Sequence, residues 1–166
     1  IPQSSRVNIS NINSLPDNTM IFSFEKDLTG VSYFNSALYL LGKDETGPKI
    51  WKASLNDDSE VISVDEFADI GSALGDIDPN DTFSDIAIAE DGMLYVATNR
   101  AESILEISAD GSTIGALYPG VLYPSVTSLD WDAGEFLYAN TIETNVEGSV
   151  NSVIKINMQK KSAPDF

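Results

Sequence analysis

The chain has 166 residues, with 26 Asp and Glu against 9 Lys and Arg, so its formal net charge is −17. A field of that sign repels phosphate backbones and anionic lipids, which disfavours nucleic-acid and membrane-surface partners. Cysteine and histidine are absent, which excludes disulfides, thiol nucleophiles and imidazole bases or metal ligands. No stretch approaches the ~18 apolar residues of a membrane-spanning helix, so a transmembrane helix is excluded.

Short segments rich in β-branched and aromatic residues, separated by turn residues, follow one another along the chain. The predicted strands are Val7–Ile12, Thr19–Phe24, Val31–Phe34, Ala37–Gly42, Lys49–Ser54, Glu60–Val64, Ser84–Ala89, Met93–Asn99, Ser103–Ser108, Ser112–Leu117, Val126–Asp132, Glu135–Thr141 and Ser152–Met158. Helical spacing occurs in Asp65–Leu74, where Phe67, Ile70 and Leu74 fall at i, i+3 and i+7. The sequence therefore predicts an all-β chain with one short helix.

The strands repeat as similar units within a single domain spanning residues 1–166. The units are predicted at residues 30–64, 84–117 and 126–158. A Leu-Tyr pair recurs in the second strand of each unit, and its tyrosines are Tyr39, Tyr95 and Tyr138. The longer spacing between the first two tyrosines is explained by an insertion at 65–82. We expect each tyrosine to pack between neighbouring units, since a four-stranded meander cannot bury both of its faces alone.

One unit carries a recognisable signature. Asp85–Ala97 reads D-I-A-I-A-E-D-G-M-L-Y-V-A, which resembles the blade signature of NHL and SMP-30/gluconolactonase-like β-propellers. Asp85, Ala89 and Met93 depart from the Gly, Asp and Asn usual at those places. The resemblance implies propeller-type, four-stranded antiparallel blades. Because closed propellers have at least four blades, about three units predict an incomplete propeller, or one that another chain or further blades complete.

A candidate metal site lies in the most acidic segment, GDIDPNDTFSD. Its candidate ligands are Asp76, Asp78, Asn80, Asp81 and Asp85. The first three resemble the start of a calcium loop, but Asp81 stands where an EF-hand needs Gly and Ala87 where it needs Glu. Two interpretations stay open, a calcium site of another kind and a solvated turn around Pro79.

The resemblance also implies an axial site, because SMP-30-like enzymes hold a divalent cation at the propeller axis. Asp85 and Asp130 fall near the starts of inner strands, with Glu90 and Asp132 nearby. None of them matches a specific motif of those enzymes. Asp-Gly hairpin turns account for most of these acids equally well.

Aromatic residues supply a second candidate site, for a sugar ring or a peptide. Tyr118 and Tyr123 lie in a predicted connection between units, where propellers often place binding residues. Trp131 is the third candidate, although it sits within a strand pattern, where packing is the commoner fate.

The sequence favours a non-enzymatic binding or scaffolding module that presents inter-blade loops to a protein or carbohydrate partner. A metal-dependent lactonase of SMP-30 type and a structural repeat that assembles head to tail are the alternatives. We expect an extracellular setting, from the acidity, the first residue Ile1 and the glycosylation patterns at Asn8-Ile9-Ser10 and Asn80-Asp81-Thr82. The basic segment near the C-terminus is predicted to be a polar tail.

Overall fold

The computed structural model describes residue 24 and residues 26–145 and 148–164. The predicted strand Val7–Ile12, the strand Thr19–Phe24 before Phe24 and the glycosylation pattern at Asn8 lie outside the described residues. Within them, the chain forms antiparallel sheets and one short helix. This confirms the all-β prediction.

The first sheet is a meander of four neighbouring strands. It contains β1 (Asp27–Phe34), β2 (Ala37–Asp44), β3 (Gly47–Leu55) and β4 (Val61–Asp69), in the order β1-β2-β3-β4. A two-residue turn joins β1 to β2 with positive φ at Asn35 (47°) and Ser36 (55°). Such turns match the right-handed twist of the strands that they connect.

The second sheet repeats this meander with shorter strands. It contains β5 (Phe83–Ile88), β6 (Leu94–Thr98), β7 (Ile104–Ile107) and β8 (Ile114–Ala116). The third sheet contains β9 (Ser125–Trp131), β10 (Phe136–Asn145) and β11 (Gly148–Asn157), in the order β11-β10-β9. The described part of the third unit is thus three-stranded, and the prediction of four-stranded units is correct for the first two sheets.

Two hydrophobic layers join the sheets. The first layer lies between the first and second sheets and contains Tyr39, Leu41, Leu94 and Val96, while the second joins the second and third sheets. Alternation along β6 explains how one sheet serves both layers, because Leu94 faces the first and Tyr95 the second. All five residues of β6 are buried, so the second sheet is covered on both faces.

The helical prediction for Asp65–Leu74 is wrong over its first half. Strand β4 continues to Asp69, because its backbone pairs with β3 and places Ala68 opposite Ile50. The helix α1 occupies only Ile70–Leu74. It begins where the Asp69 carboxylate accepts a hydrogen bond from the Ser72 N–H (2.8 Å), a common helix cap.

Polar contacts also join the innermost strands of the sheets. The Thr29 hydroxyl of β1 donates to the Phe83 carbonyl of β5 (2.6 Å). The Leu129 N–H of β9 donates to the Asp85 carboxylate of β5 (2.8 Å). These contacts fix the order β1, β5, β9 along the inner side of the stack.

Candidate functional site at the inter-sheet loops

The connections between sheets gather at one end of the stack. The segment 75–82, which we call the acidic loop, joins α1 to β5, and the segment 117–124, which we call the tyrosine loop, joins β8 to β9. The turn from β6 to β7 lies between them. The Ser103 hydroxyl in that turn donates to the Tyr123 carbonyl (3.0 Å), and Arg100 donates to the Asp76 carbonyl (3.0 Å). Three loops therefore form one continuous surface.

Two carboxylates of the acidic loop, those of Asp78 and Asp81, are engaged within the loop and by one arginine. Asp78 accepts hydrogen bonds from the backbone N–H and the side-chain amide of Asn80, both at 2.8 Å. The backbone bond from Asn80 lowers the pKa of Asp78 below its usual range. Arg100 forms an ion pair with Asp81, which also accepts from the Asp78 N–H (3.0 Å). These bonds are those of a cross-linked turn.

The structure brings four of the five predicted metal ligands together in the acidic loop and places the fifth elsewhere. Asp85 lies within β5, where one carboxylate oxygen accepts from the Ile86 N–H (2.9 Å) and the other from Leu129. Across residues 24, 26–145 and 148–164, no group of three or more acidic side chains is arranged to hold a metal ion. Calcium binding by the acidic loop stays a prediction.

Two grooves flank the acidic loop. The larger, about 690 Å³, is lined by the loop together with Arg100 and Ala101. The second, about 590 Å³, lies between the first two sheets and is lined by Pro48, Ile77 and Phe83 among others. Sequence reasoning missed Arg100, whose role depends on tertiary contacts that no local pattern reveals.

The tyrosine loop presents apolar side chains to solvent. Tyr118 is 39% exposed, Val121 43% and Leu122 72%. The loop is nevertheless held in place, since the Gly120 N–H donates to the Glu102 carboxylate (2.8 Å) and the Val121 N–H to the Tyr118 carbonyl (3.0 Å). Sequence analysis identified the tyrosines and missed Val121 and Leu122, although their place between two Tyr-Pro pairs was the available signal.

The predicted aromatic residues do not form one platform. Tyr123 is half-buried beside Tyr118, and burial raises its pKa. Trp131 lies at the other end of β9, and seven strand residues span roughly 20 Å. Its ring packs edge-to-face on Tyr95 (centroids 6.0 Å apart), and its indole nitrogen is buried without a hydrogen-bond partner among the described residues.

A separate cleft of about 450 Å³ lies between the innermost strands, where the resemblance implied an axial metal. Asp130 and Asp132 line it, but Asp132 accepts from the Gly134 N–H (2.7 Å) and serves the turn between β9 and β10. The predicted polar tail also lines this cleft. Ser162 pairs with Ala89 at the end of β5, and the Ala163 N–H donates to the Ile88 carbonyl (2.8 Å).

No protein-family model matches the sequence, and no curated protein matches it. In structure, the chain is similar to one from a structural genomics programme named as a gluconolactonase, with a TM-score of 0.56 and 13% identity over 90% of this chain and 46% of that one. It is also similar to a chain of a nidogen/laminin complex, with a TM-score of 0.55 and 17% identity over 90% of this chain and 55% of that one.

These similarities concern the fold. The chain spans about half the length of both solved structures. The described residues contain no helix that is long and apolar enough to cross a membrane. Within the described residues, the three sheets are blades of an incomplete β-propeller. The Asp85–Ala97 signature predicted the type of blade, and the count of about three units predicted that the propeller is incomplete.

Proposed function

We propose that the chain is a non-enzymatic propeller module that binds a protein partner through its tyrosine loop. The observation that carries this proposal is the run of exposed apolar side chains at Tyr118, Val121 and Leu122 on a loop held by backbone hydrogen bonds. An ordered apolar loop loses little conformational entropy when it binds, and it buries its apolar area against the partner.

The carboxylates of the described residues support binding over hydrolysis. A lactonase of the metal-dependent type needs carboxylate oxygens free to hold a cation and activate water. Asp85 instead accepts two backbone hydrogen bonds, and Asp132 accepts bonds from the turn that it stabilises. Asp85 and Asp132 therefore have structural roles in this chain.

Aliphatic side chains favour a protein over a carbohydrate. Sugar rings are bound by aromatic faces with polar groups around them, whereas Val121 and Leu122 offer branched aliphatic surface with few donors. The similar chain from the nidogen/laminin complex belongs to an assembly of two proteins, which supports protein binding by this fold. An extracellular setting belongs to the same proposal, with Asn80 exposed in its glycosylation pattern.

A site-specific photocrosslinker tests the proposal. The reactive residue replaces Leu122 in one protein and Ile62 in a matched control, because Ile62 is also strongly exposed (66%) but lies on β4. Both proteins are irradiated in the extracellular fluid of the producing cells. We expect a partner protein that becomes crosslinked to position 122 and does not become crosslinked to position 62.

The partner is then purified and its dissociation constant is measured with Leu122→Asp and Ile62→Asp. A charge placed in an apolar contact weakens binding by about tenfold or more, while the control binds as the original chain does. Equal binding by both variants contradicts the proposal. So does specific binding on a glycan array that Tyr118→Ala abolishes, or lactone hydrolysis that calcium restores after EDTA treatment.

A further inference from the structure

Strand β11 forms the outer edge of the third sheet, at a place where the other two sheets have one strand more. Strand β4 pairs with β3 in the first sheet, and β8 pairs with β7 in the second. Among the described residues, β11 pairs only with β10. At ten residues it is as long as β10 and longer than the other strands of these sheets.

As far as residue 164, the segment after β11 does not supply a fourth strand. Gln159 has a positive φ (55°) and turns the backbone away from the sheet. Lys160 then forms an ion pair with Asp91 (2.8 Å), and Ser162 pairs with Ala89 at the inner side of the second sheet. The following residues are thus committed to the opposite edge of the neighbouring blade.

The hydrogen-bond pattern shows which backbone groups of β11 point outward. The Met158 N–H donates to the Glu135 carbonyl (2.9 Å), and the register from there to the turn is unbroken. Because antiparallel pairs alternate between bonded and non-bonded, the even-numbered residues of β11 bond to β10. The odd-numbered residues, including Asn151 and Val153, therefore direct their N–H and C=O groups away from the sheet.

Strand β11 has few of the features that usually protect an edge. Proline and charged side chains are the common devices, but the segment GSVNSVIKIN has no proline. Its one charged residue, Lys155, lies over the Phe136 ring, 3.8 Å from the ring centre. Val150 and Val153 are 54% and 63% exposed. The edge can therefore accept another strand.

We propose that the β11 edge pairs with β11 of a second copy of this chain, as antiparallel strands about a two-fold axis. If two copies meet, charge favours this edge over the rest of the surface. Two chains of net charge −17 repel each other over most of their surfaces, whereas β11 has no carboxylate and carries a lysine. A two-fold contact is also the commonest symmetry of homo-oligomers. Each copy would give the other the fourth strand that the first two sheets already have.

Proline substitution isolates the backbone contribution. Val153→Pro removes an outward N–H and breaks no bond to β10, and edge strands tolerate proline. Val153→Ala is the matched control, since it shortens the same side chain and keeps the N–H. In sedimentation equilibrium, we expect the original chain and Val153→Ala to approach twice the chain mass of 17.9 kDa as concentration rises. Val153→Pro should weaken the dimer by about tenfold or more, because both copies lose a hydrogen bond.

A spin-label measurement keeps the proposal testable if the proline variant fails to fold. The chain has no cysteine, so Asn151→Cys and the control Ile62→Cys each take a single nitroxide. Neighbouring strands lie about 4.8 Å apart, so β11 pairing places the two labels at 151 within roughly 20 Å, with the labels at 62 farther apart. A monomer at every concentration overturns the proposal. So does a dimer that Val153→Pro and Val153→Ala affect equally, or one whose labels at 62 are the closer pair.

Discussion

The second and third blades place the same tyrosine in contrasting surroundings. Tyr95 is fully buried because the third sheet covers its face of β6. Burial raises its pKa to about 12, although Lys160 donates a hydrogen bond to it. Tyr138 occupies the equivalent place on β10 but is only half-buried, with the Lys155 ammonium 5.7 Å from its ring centre. The burial of this tyrosine thus reports whether another sheet packs against the blade.

Replacing each of the two tyrosines should give the largest difference in stability between the two blades. Tyr95→Ala removes a fully buried ring and leaves a cavity, so we expect a loss of about 3–5 kcal/mol in the free energy of unfolding. Tyr138→Ala removes a half-exposed ring and should cost less than about 1 kcal/mol in dilute protein. Urea denaturation monitored by tryptophan fluorescence measures both. Equal losses would show that the third sheet is covered in solution.

The link between the innermost strands of these blades gives a smaller expected effect. Asp85→Ala leaves the buried Leu129 N–H without its acceptor, which should cost about 1–3 kcal/mol. Asp130→Ala is the matched control, because Asp130 is exposed on the adjacent strand and should change stability by less than about 0.5 kcal/mol. Thermal melts with and without calcium compare the pair. A calcium-dependent rise in Tm that Asp85→Ala abolishes would instead assign Asp85 to a metal site.

One turn at the far end of the sheets holds a carboxylate whose contribution to stability depends on pH. In the turn between β7 and β8, hydrogen bonds from the Ser108 and Ser112 side chains lower the pKa of Asp110 to about 2. Because this pKa is lower in the folded chain than in the unfolded one, its contribution to stability is present above pH 3.8 and is lost as pH falls towards about 2. Ser108→Ala should raise the pKa of Asp110 towards 3.8, which a carboxyl-carbon NMR titration measures. An unchanged pKa would mean that Ser108 does not hold this carboxylate in solution.

Local patterns predicted the repeated parts of the molecule well. The Leu-Tyr pairs located β2, β6 and β10, because alternation along a strand and a turn on either side suffice to define each of them. The packing of Tyr39 and Tyr95 between sheets is confirmed. Asp65–Leu74 was misread because its apolar spacing fits a helix, whereas pairing with β3 extends the strand to Asp69.

The candidate site was predictable only in outline. The sequence placed Tyr118 and Tyr123 in a connection between units, which the structure confirms. The sequence could not show that Trp131 lies far from these tyrosines, since the distance between the side chains depends on the direction of β9. The pairing of the tail beside β5 is also a tertiary contact. It joins Ser162 to Ala89, which are far apart in the sequence, so no local pattern reveals it.

Native-state hydrogen exchange distinguishes a second blade that is covered on both faces from a third blade that is covered on one. In dilute protein, we predict that the amides of β6 (Leu94–Thr98) exchange most slowly. The odd-numbered amides of β11, such as those of Asn151 and Val153, should exchange fastest among the strands, because they point away from β10. Exchange from β6 that is as fast as from β11, or uniform protection along β11 at low concentration, would contradict the account.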